Sequence, residues 1–125
     1  MHWVCIYVDK SGDGWYFDSY GLPALIPDHI NRIRKNCKRL RWNTVHLQGS
    51  TSNVCGQYCI MFLHYMSSGL GVNKFLENFS LYLQKNDEIA RNFVSRKRIG
   101  DNNFIGSGDY NLRCLQSLSC RMSLV

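Results

Sequence analysis

The sequence predicts an α+β domain in which a small mixed sheet packs on a central helix. Three observations carry that prediction. Two aromatic and β-branched runs bracket a Gly-rich turn near the start of the chain. A loop of small polar residues runs directly into the apolar stretch Ile60-Met61-Phe62-Leu63. Between them, Ile26, Ile30, Ile33, Cys37 and Leu40 step by four, three, four and three, the spacing of one helical face.

The elements follow in order. Met1 to Asp9 reads as a strand and Lys10-Ser11-Gly12-Asp13-Gly14 as a turn. Trp15 to Gly21 is then a second strand that breaks at Gly21-Leu22-Pro23, which makes a β-hairpin. A helix starts near Pro27-Asp28 and buries the isoleucine stripe. Thr44-Val45-His46-Leu47 reads as a strand delivering Gln48. The central helix runs from Cys55 to about Met66 and ends at Ser67-Ser68-Gly69. Val72 to Phe79 recurs at helical spacing, and Asp87-Glu88 opens another helix with acids at its start. After Gly100 the residues turn to Asn, Gly and Ser, so residues 100–125 read as a loosely ordered tail on a domain of residues 1–99.

Composition narrows the class. A chain of 125 residues can bury one real core, and 45% hydrophobic content is ordinary for a globular protein. No apolar run approaches the roughly 20 residues of a membrane-spanning helix, so no membrane partner is expected. The start has no basic-then-apolar leader. Six cysteines in such a chain are too sparse for a secreted disulfide scaffold. A reducing, intracellular compartment with free thiols is expected, the nucleus or a virion included. Cys55, Cys59 and His64 are three soft ligands within ten positions, but zinc takes four, or three and water. Cys5, Cys37, Cys114 and Cys120 show no paired spacing, so no metal is expected.

The chemistry points to Cys55. It sits where the polar loop Gln48-Gly49-Ser50-Thr51-Ser52-Asn53 meets the helix, and helix N-terminal amides stabilise a thiolate. The same amides can hold an oxyanion. A cysteine hydrolase also needs a histidine with a carboxylate partner, and His2 and Asp18 both fall at the open end of the hairpin. Strict antiparallel pairing leaves those two a few residues out of register, so a bulge, sheet twist or side-chain reach must close the gap. Each residue also has a plainer role open to it: Cys55 as a small core residue, His2 as a loose chain end, Asp18 as a turn former and Gln48 as a loop amide.

His-Trp, then Phe-Asp-Ser-Tyr-Gly, then Gln-Gly followed by Cys-Gly resembles the adenovirus-type (adenain-like) cysteine proteases. That group is related to the SUMO-specific, ubiquitin-like proteases and includes proteases of large self-synthesising DNA transposons and related viruses. The Asp-Ser-Tyr-Gly and Cys-Gly-Gln-Tyr-Cys wording is most like the transposon members. The resemblance covers roughly residues 1–66, and its strength lies in four motifs in order rather than in any one. It implies a papain-like fold, with His2 as general base, Asp18 as the acid that orients it and Cys55 as nucleophile. Gln48 and the Cys55 amide would form the oxyanion hole.

The implied function is a cysteine endopeptidase that matures viral or transposon precursor proteins, with protein or peptide substrates. Two other functions stay open. One is removal of a ubiquitin-like modifier, against which the seven-residue step from Gln48 to Cys55 argues, since the SUMO-protease branch is usually one shorter. The other is an inactive relative acting as a basic nucleic-acid-binding module. Family members carry a segment ahead of the His-Trp strand, whereas Met1 stands directly before His2, so the N-terminal part of the domain is expected to be missing.

The chemistry itself requires no cofactor, but the resemblance implies an activating peptide and DNA. In adenoviral enzymes the peptide can join through a disulfide, and Cys37 lies where such a cysteine would fall; its helical periodicity makes it a core residue instead. The formal net charge is +6; Arg32, Arg34, Lys35, Lys38 and Arg39 fill the polar face of that same first helix, followed by Arg41, and Arg91 with Arg96-Lys97-Arg98 forms a second cluster. Such a strip suits a polyanion bound through its phosphates, and no base-reading motif accompanies it.

Overall fold

The computed structural model describes residues 2–100 and 120–124, with side-chain surroundings given for residues 2–97. Its elements are β1 (Trp3–Val8), β2 (Asp13–Phe17), α1 (Pro27–Asn36), β3 (Arg39–Trp42), α2 (Cys55–Ser67), α3 (Gly71–Leu76), α4 (Leu83–Gly100) and β4 (Cys120–Leu124). The four strands form one sheet in the order β3-β2-β1-β4. β1 pairs antiparallel with β2 and with β4, and β2 pairs parallel with β3. The protein is therefore α+β with a small mixed sheet. No helix of the described residues is long and apolar enough to cross a membrane.

Alternation along the hairpin explains the layers. Val4, Ile6, Val8 and Tyr16 face α1 and pack on Ile33. Cys5 and Phe17 face the other way, onto Tyr58, Cys59 and Phe62 of α2, Phe75 of α3 and Ala90 of α4. Phe17 stacks on Phe62 at 4.5 Å, and Phe75 meets both rings edge-on. A β1 apolar on both faces is what a strand covered on both sides requires.

Five expectations need correcting. The stripe from Ile26 to Leu40 is not one helix. α1 stops at Asn36, where Asn36 Nδ2 donates to the Arg32 carbonyl and the Cys37 thiol to that of Ile33. The Lys38 amide then bonds the Gly12 carbonyl, which draws the chain into β3. Lys38, Arg39, Leu40 and Arg41 thus lie beyond the helix, and the three-four spacing continues across the boundary by coincidence. Thr44–Leu47 is not a strand; β3 comes earlier. Asn43 ends it by donating to the Val45 carbonyl and accepting from the Val45 amide, a side-chain turn that replaces the ladder.

The remaining three concern element ends. The second strand spans Asp13–Phe17 rather than running on to Gly21. Asp18 to Gly21 is a turn closed by the Gly21 amide on the Asp18 carbonyl. Gly21 has φ +76° there, and a Cβ would lie 2.9 Å from the Thr44 carbonyl oxygen, so only glycine fits. Asp87 does not open its helix: α4 begins at Leu83, and Asp87 is buried one turn in. Finally, the end of the expected loose tail supplies β4, which pairs with β1 from Trp3↔Leu124 to Tyr7↔Cys120. A sheet edge offers unpaired amides and carbonyls, and β4 satisfies those of β1. Residues 101–119 of that tail lie outside the described residues.

Candidate active site

The hairpin register decides how His2 meets Asp18. Cys5 pairs with Phe17, so the same register carried outward sets Val4 opposite Asp18 and His2 opposite Tyr20. His2 and Asp18 are diagonal neighbours, a separation that long side chains span. The imidazole reaches across, and Nε2 lies 2.8 Å from Asp18 Oδ1. Side-chain reach, not a bulge, closes the gap. Tyr20 takes the directly opposite place and stacks on the imidazole at 4.9 Å. Asp18 is 5% exposed, and its Oδ1 also accepts from the Tyr20 amide at 2.8 Å. A carboxylate can only accept, so Nε2 carries the proton. Nδ1 is thereby left as the basic nitrogen of His2.

Cys55 is the first residue of α2. No side chain caps that helix, so the amides of its first turn keep the partial positive charge of an open N-terminus. The amide of Trp3, next to His2 in the chain, donates to Cys55 Sγ at 3.3 Å. Burial raises the Tyr20 phenol, and the nearby Cys55 and Asp18 add to the rise. Tyr20 is therefore close to Cys55 and Asp18 alike. Cys59, one turn on, is fully buried, and its thiol sits 3.5 Å from the Trp3 carbonyl. Burial first, then the neighbouring Cys5 thiol, pushes the Cys59 thiol well up.

Gln48 is 1% exposed and held at both ends of its amide. Oε1 accepts from Ser19 Oγ at 2.5 Å, and Nε2 donates to the Ser52 carbonyl at 3.0 Å. The Ser52 carbonyl can only accept, so the end of the amide that faces it is the NH₂ and the end that faces the Ser19 hydroxyl is Oε1. One of its two protons is used, and among the described residues the other has no partner. The backbone is tied as well: the Ser19 carbonyl accepts the Leu47 and Gln48 amides at 2.9 and 3.1 Å. Asn43 Nδ2 donates to the Asp18 carbonyl at 3.2 Å. The acid turn and the glutamine loop are therefore one hydrogen-bonded unit.

The structure thus brings together His2 with Asp18, Trp3 with Cys55, and Ser19 with Gln48. Sequence reasoning missed Ser19, Tyr20 and Asn43. Ser19 and Tyr20 stand inside the Asp-Ser-Tyr-Gly motif, so the motif itself held that signal; Asn43 had only its turn propensity. Among the described residues no group of three or more His, Cys, Asp and Glu could hold a metal.

Of the basic residues, Lys35, Lys38 and Arg39 lie by the turn of the hairpin, whereas Arg41 stands opposite Trp15 on β3 and Arg34 lines a cleft with Tyr16 and Trp42. Arg32, Arg34, Lys35, Lys38, Arg39 and Arg41 are all exposed. Arg39 is paired with Asp13 at 2.7 and 3.1 Å. Lys35 and Lys38 share a shallow cleft with Lys10 and the turn residues Ser11 and Gly12, so Lys10 joins the six expected cations. Cys37 is half-buried, lines a cleft of about 420 Å³ with Ile33 and Trp42, and has its thiol pushed up by burial.

The chain matches no family model and no curated protein.

Proposed function

We propose that this protein is a cysteine endopeptidase of the adenovirus type, built on the papain-like arrangement that its motifs resemble. One observation carries the reading. His2 bonds Asp18 at 2.8 Å while the adjoining Trp3 amide bonds Cys55 Sγ at 3.3 Å. Residues 52 positions apart converge on one thiol at an uncapped helix N-terminus.

The steps follow from the donors. The Cys55 thiol gives its proton to His2 Nδ1, whose other nitrogen is committed to Asp18. The thiolate attacks the scissile carbonyl, and the negative charge moves to the carbonyl oxygen. The uncommitted Gln48 N–H and the Cys55 amide receive that charge. His2 then delivers its proton to the leaving amine, and the acyl group stays on Cys55 as a thioester. A water molecule, deprotonated by His2, releases the acid and restores the thiol. Asp18 holds the ring orientation and balances the imidazolium charge throughout.

The motif wording favours precursor processing in a virus or transposon as the biological role. The exposed cations around Lys35 and Lys38 favour a polyanion as an accessory partner. The test is digestion of a mixture of unfolded polypeptides, with new N-termini read by mass spectrometry. New termini are expected from the wild type and absent with Cys55→Ala. Termini that persist in that variant, or none from the wild type alongside no acylation of Cys55 by an active ester, would remove the reading.

A further inference from the structure

A buried carboxylate 38 residues further along the chain reaches the loop that carries Gln48. Asp87 is 6% exposed, on α4. Its Oδ1 and Oδ2 accept the Gly49 amide at 3.2 and 3.3 Å, and Oδ1 accepts the Tyr58 hydroxyl at 2.8 Å. Tyr58 lies on α2, one turn after Cys55, and its hydroxyl also approaches the Leu47 carbonyl at 3.2 Å. Asn86, next to Asp87 and fully buried, donates to that same carbonyl at 3.2 Å. The backbone on both sides of Gln48 is therefore tied to the helix that carries the nucleophile, and Asp87 is the joint.

We infer that Asp87 is a positioning residue for the oxyanion site: it locks the Leu47–Gly49 loop to α2 so that Gln48 and the Cys55 amide stay at a fixed separation. The inference rests on the endopeptidase reading of Gln48 and Cys55. Both groups facing Asp87, the Gly49 N–H and the Tyr58 O–H, are donors. Only an acceptor-only side chain satisfies both at full strength; an asparagine would turn its NH₂ toward one of them. Gly49 completes the fit. A Cβ on it would lie 2.8 Å from Asp87 Oδ2, so a larger residue would push the carboxylate off the loop amide. This close approach gives a physical reason for glycine directly after Gln48. Asp87 itself touches no reacting atom, so it acts through Gln48.

The experiment separates two reactions of the same thiol in the full chain. Acetylation by p-nitrophenyl acetate passes through a tetrahedral oxyanion and needs the hole. Alkylation by iodoacetamide is a displacement that forms no such oxyanion. Asp87→Asn is expected to slow acetylation of Cys55 by about tenfold and to change its alkylation by less than about twofold. Combining Asp87→Asn with Gln48→Ala should slow acetylation no further than Gln48→Ala alone, because residues acting through one another are not additive. Gly49→Ala and Tyr58→Phe disturb the same joint from its other two sides. They should show the same selective loss, and they carry the test if Asp87→Asn does not fold.

Acetylation unchanged in all three variants would overturn the inference. So would acetylation and alkylation falling in parallel, which would make Asp87 a scaffold residue with no tie to the oxyanion. If wild type and Cys55→Ala release p-nitrophenol alike, the endopeptidase reading itself fails and the positioning role falls with it.

Discussion

The two ends of the β1–β2 hairpin share strands and differ in almost everything else. At the open end, Asp18, Ser19, Asn43 and Gln48 are all at most 5% exposed, and each is hydrogen-bonded to another part of the site. At the turn end, Lys10, Lys35 and Lys38 stand in solvent, and the ion pair there, Arg39–Asp13, is exposed. Exposed pairs contribute little, whereas a buried polar group left without its partner costs about 1–3 kcal/mol. Geometry is therefore fixed at one end and charge is merely concentrated at the other. The first arrangement suits chemistry that fails when an atom moves by an ångström. The second suits an adaptable, salt-sensitive association.

Substitutions at the open end should be severe, and their order tests which atoms act. Cys55→Ala should abolish peptide cleavage while changing unfolding free energy by less than about 2 kcal/mol in a denaturant titration. If Cys59→Ala has that effect and Cys55→Ala does not, the nucleophile is misassigned. Asp18→Asn should slow turnover without eliminating it, because it spoils orientation of His2 and leaves the attacking sulfur in place. Full activity in that variant would take Asp18 out of the site. Gln48→Ala should cost about 10²–10³ in turnover, as loss of one oxyanion donor does elsewhere. Ser19→Ala, which removes only the hydroxyl orienting Gln48, should cost less than that.

A smaller effect concerns stability against pH on the α1 side of the sheet. His29 is buried, its Nδ1 has no hydrogen-bond partner among the described residues, and burial, helped by Arg32, holds its imidazole below the ordinary value. A group depressed in the folded state binds its proton more readily when unfolded. Its contribution is therefore fully present above about pH 6.5, the unfolded value, and is lost as pH falls through the folded one. The melting temperature should drop across that window, and His29→Leu should flatten part of the drop. An identical acid limb in the variant would assign the loss to other groups.

The smallest effect on catalysis is expected at the turn end. Lys35→Glu with Lys38→Glu should leave ester hydrolysis unchanged while weakening retention on double-stranded DNA at low salt. The slope of log affinity against log salt should become shallower, by about one for each phosphate no longer neutralised. Unaltered retention would place any polyanion site elsewhere.

The same contrast explains what could be read from the sequence. His2, Asp18, Gln48 and Cys55 stand out in the sequence because each lies in a short motif that resembles the adenovirus-type proteases, and of the contacts expected among them the structure shows His2 on Asp18. The hairpin and α2 were legible because alternation and an apolar run are local signals. The end of α1 was not, because Cys37 and Leu40 keep helical spacing while a long-range bond from Lys38 to Gly12 draws the chain into β3. Asp87 was misread for a related reason. Acids at 87 and 88 look like a helix start, but what buries Asp87 is the loop at Gly49, 38 residues away. Nothing near Asp87 in the chain signals that approach. The pairing of β4 with β1 is likewise set by the strand that lacks a neighbour rather than by the composition of the chain end.

The central claim is that His2 and Cys55 work as one unit. The most direct measurement is the rate of iodoacetamide alkylation at each cysteine against pH, resolved by peptide mass spectrometry, in wild type and His2→Ala. It needs no known substrate. The account predicts that at about pH 6.5 Cys55 labels faster than Cys37 and Cys59, whose thiols burial pushes up, and that His2→Ala removes most of that advantage. Cys55 labelling no faster than its neighbours, or at a rate indifferent to His2, would contradict it.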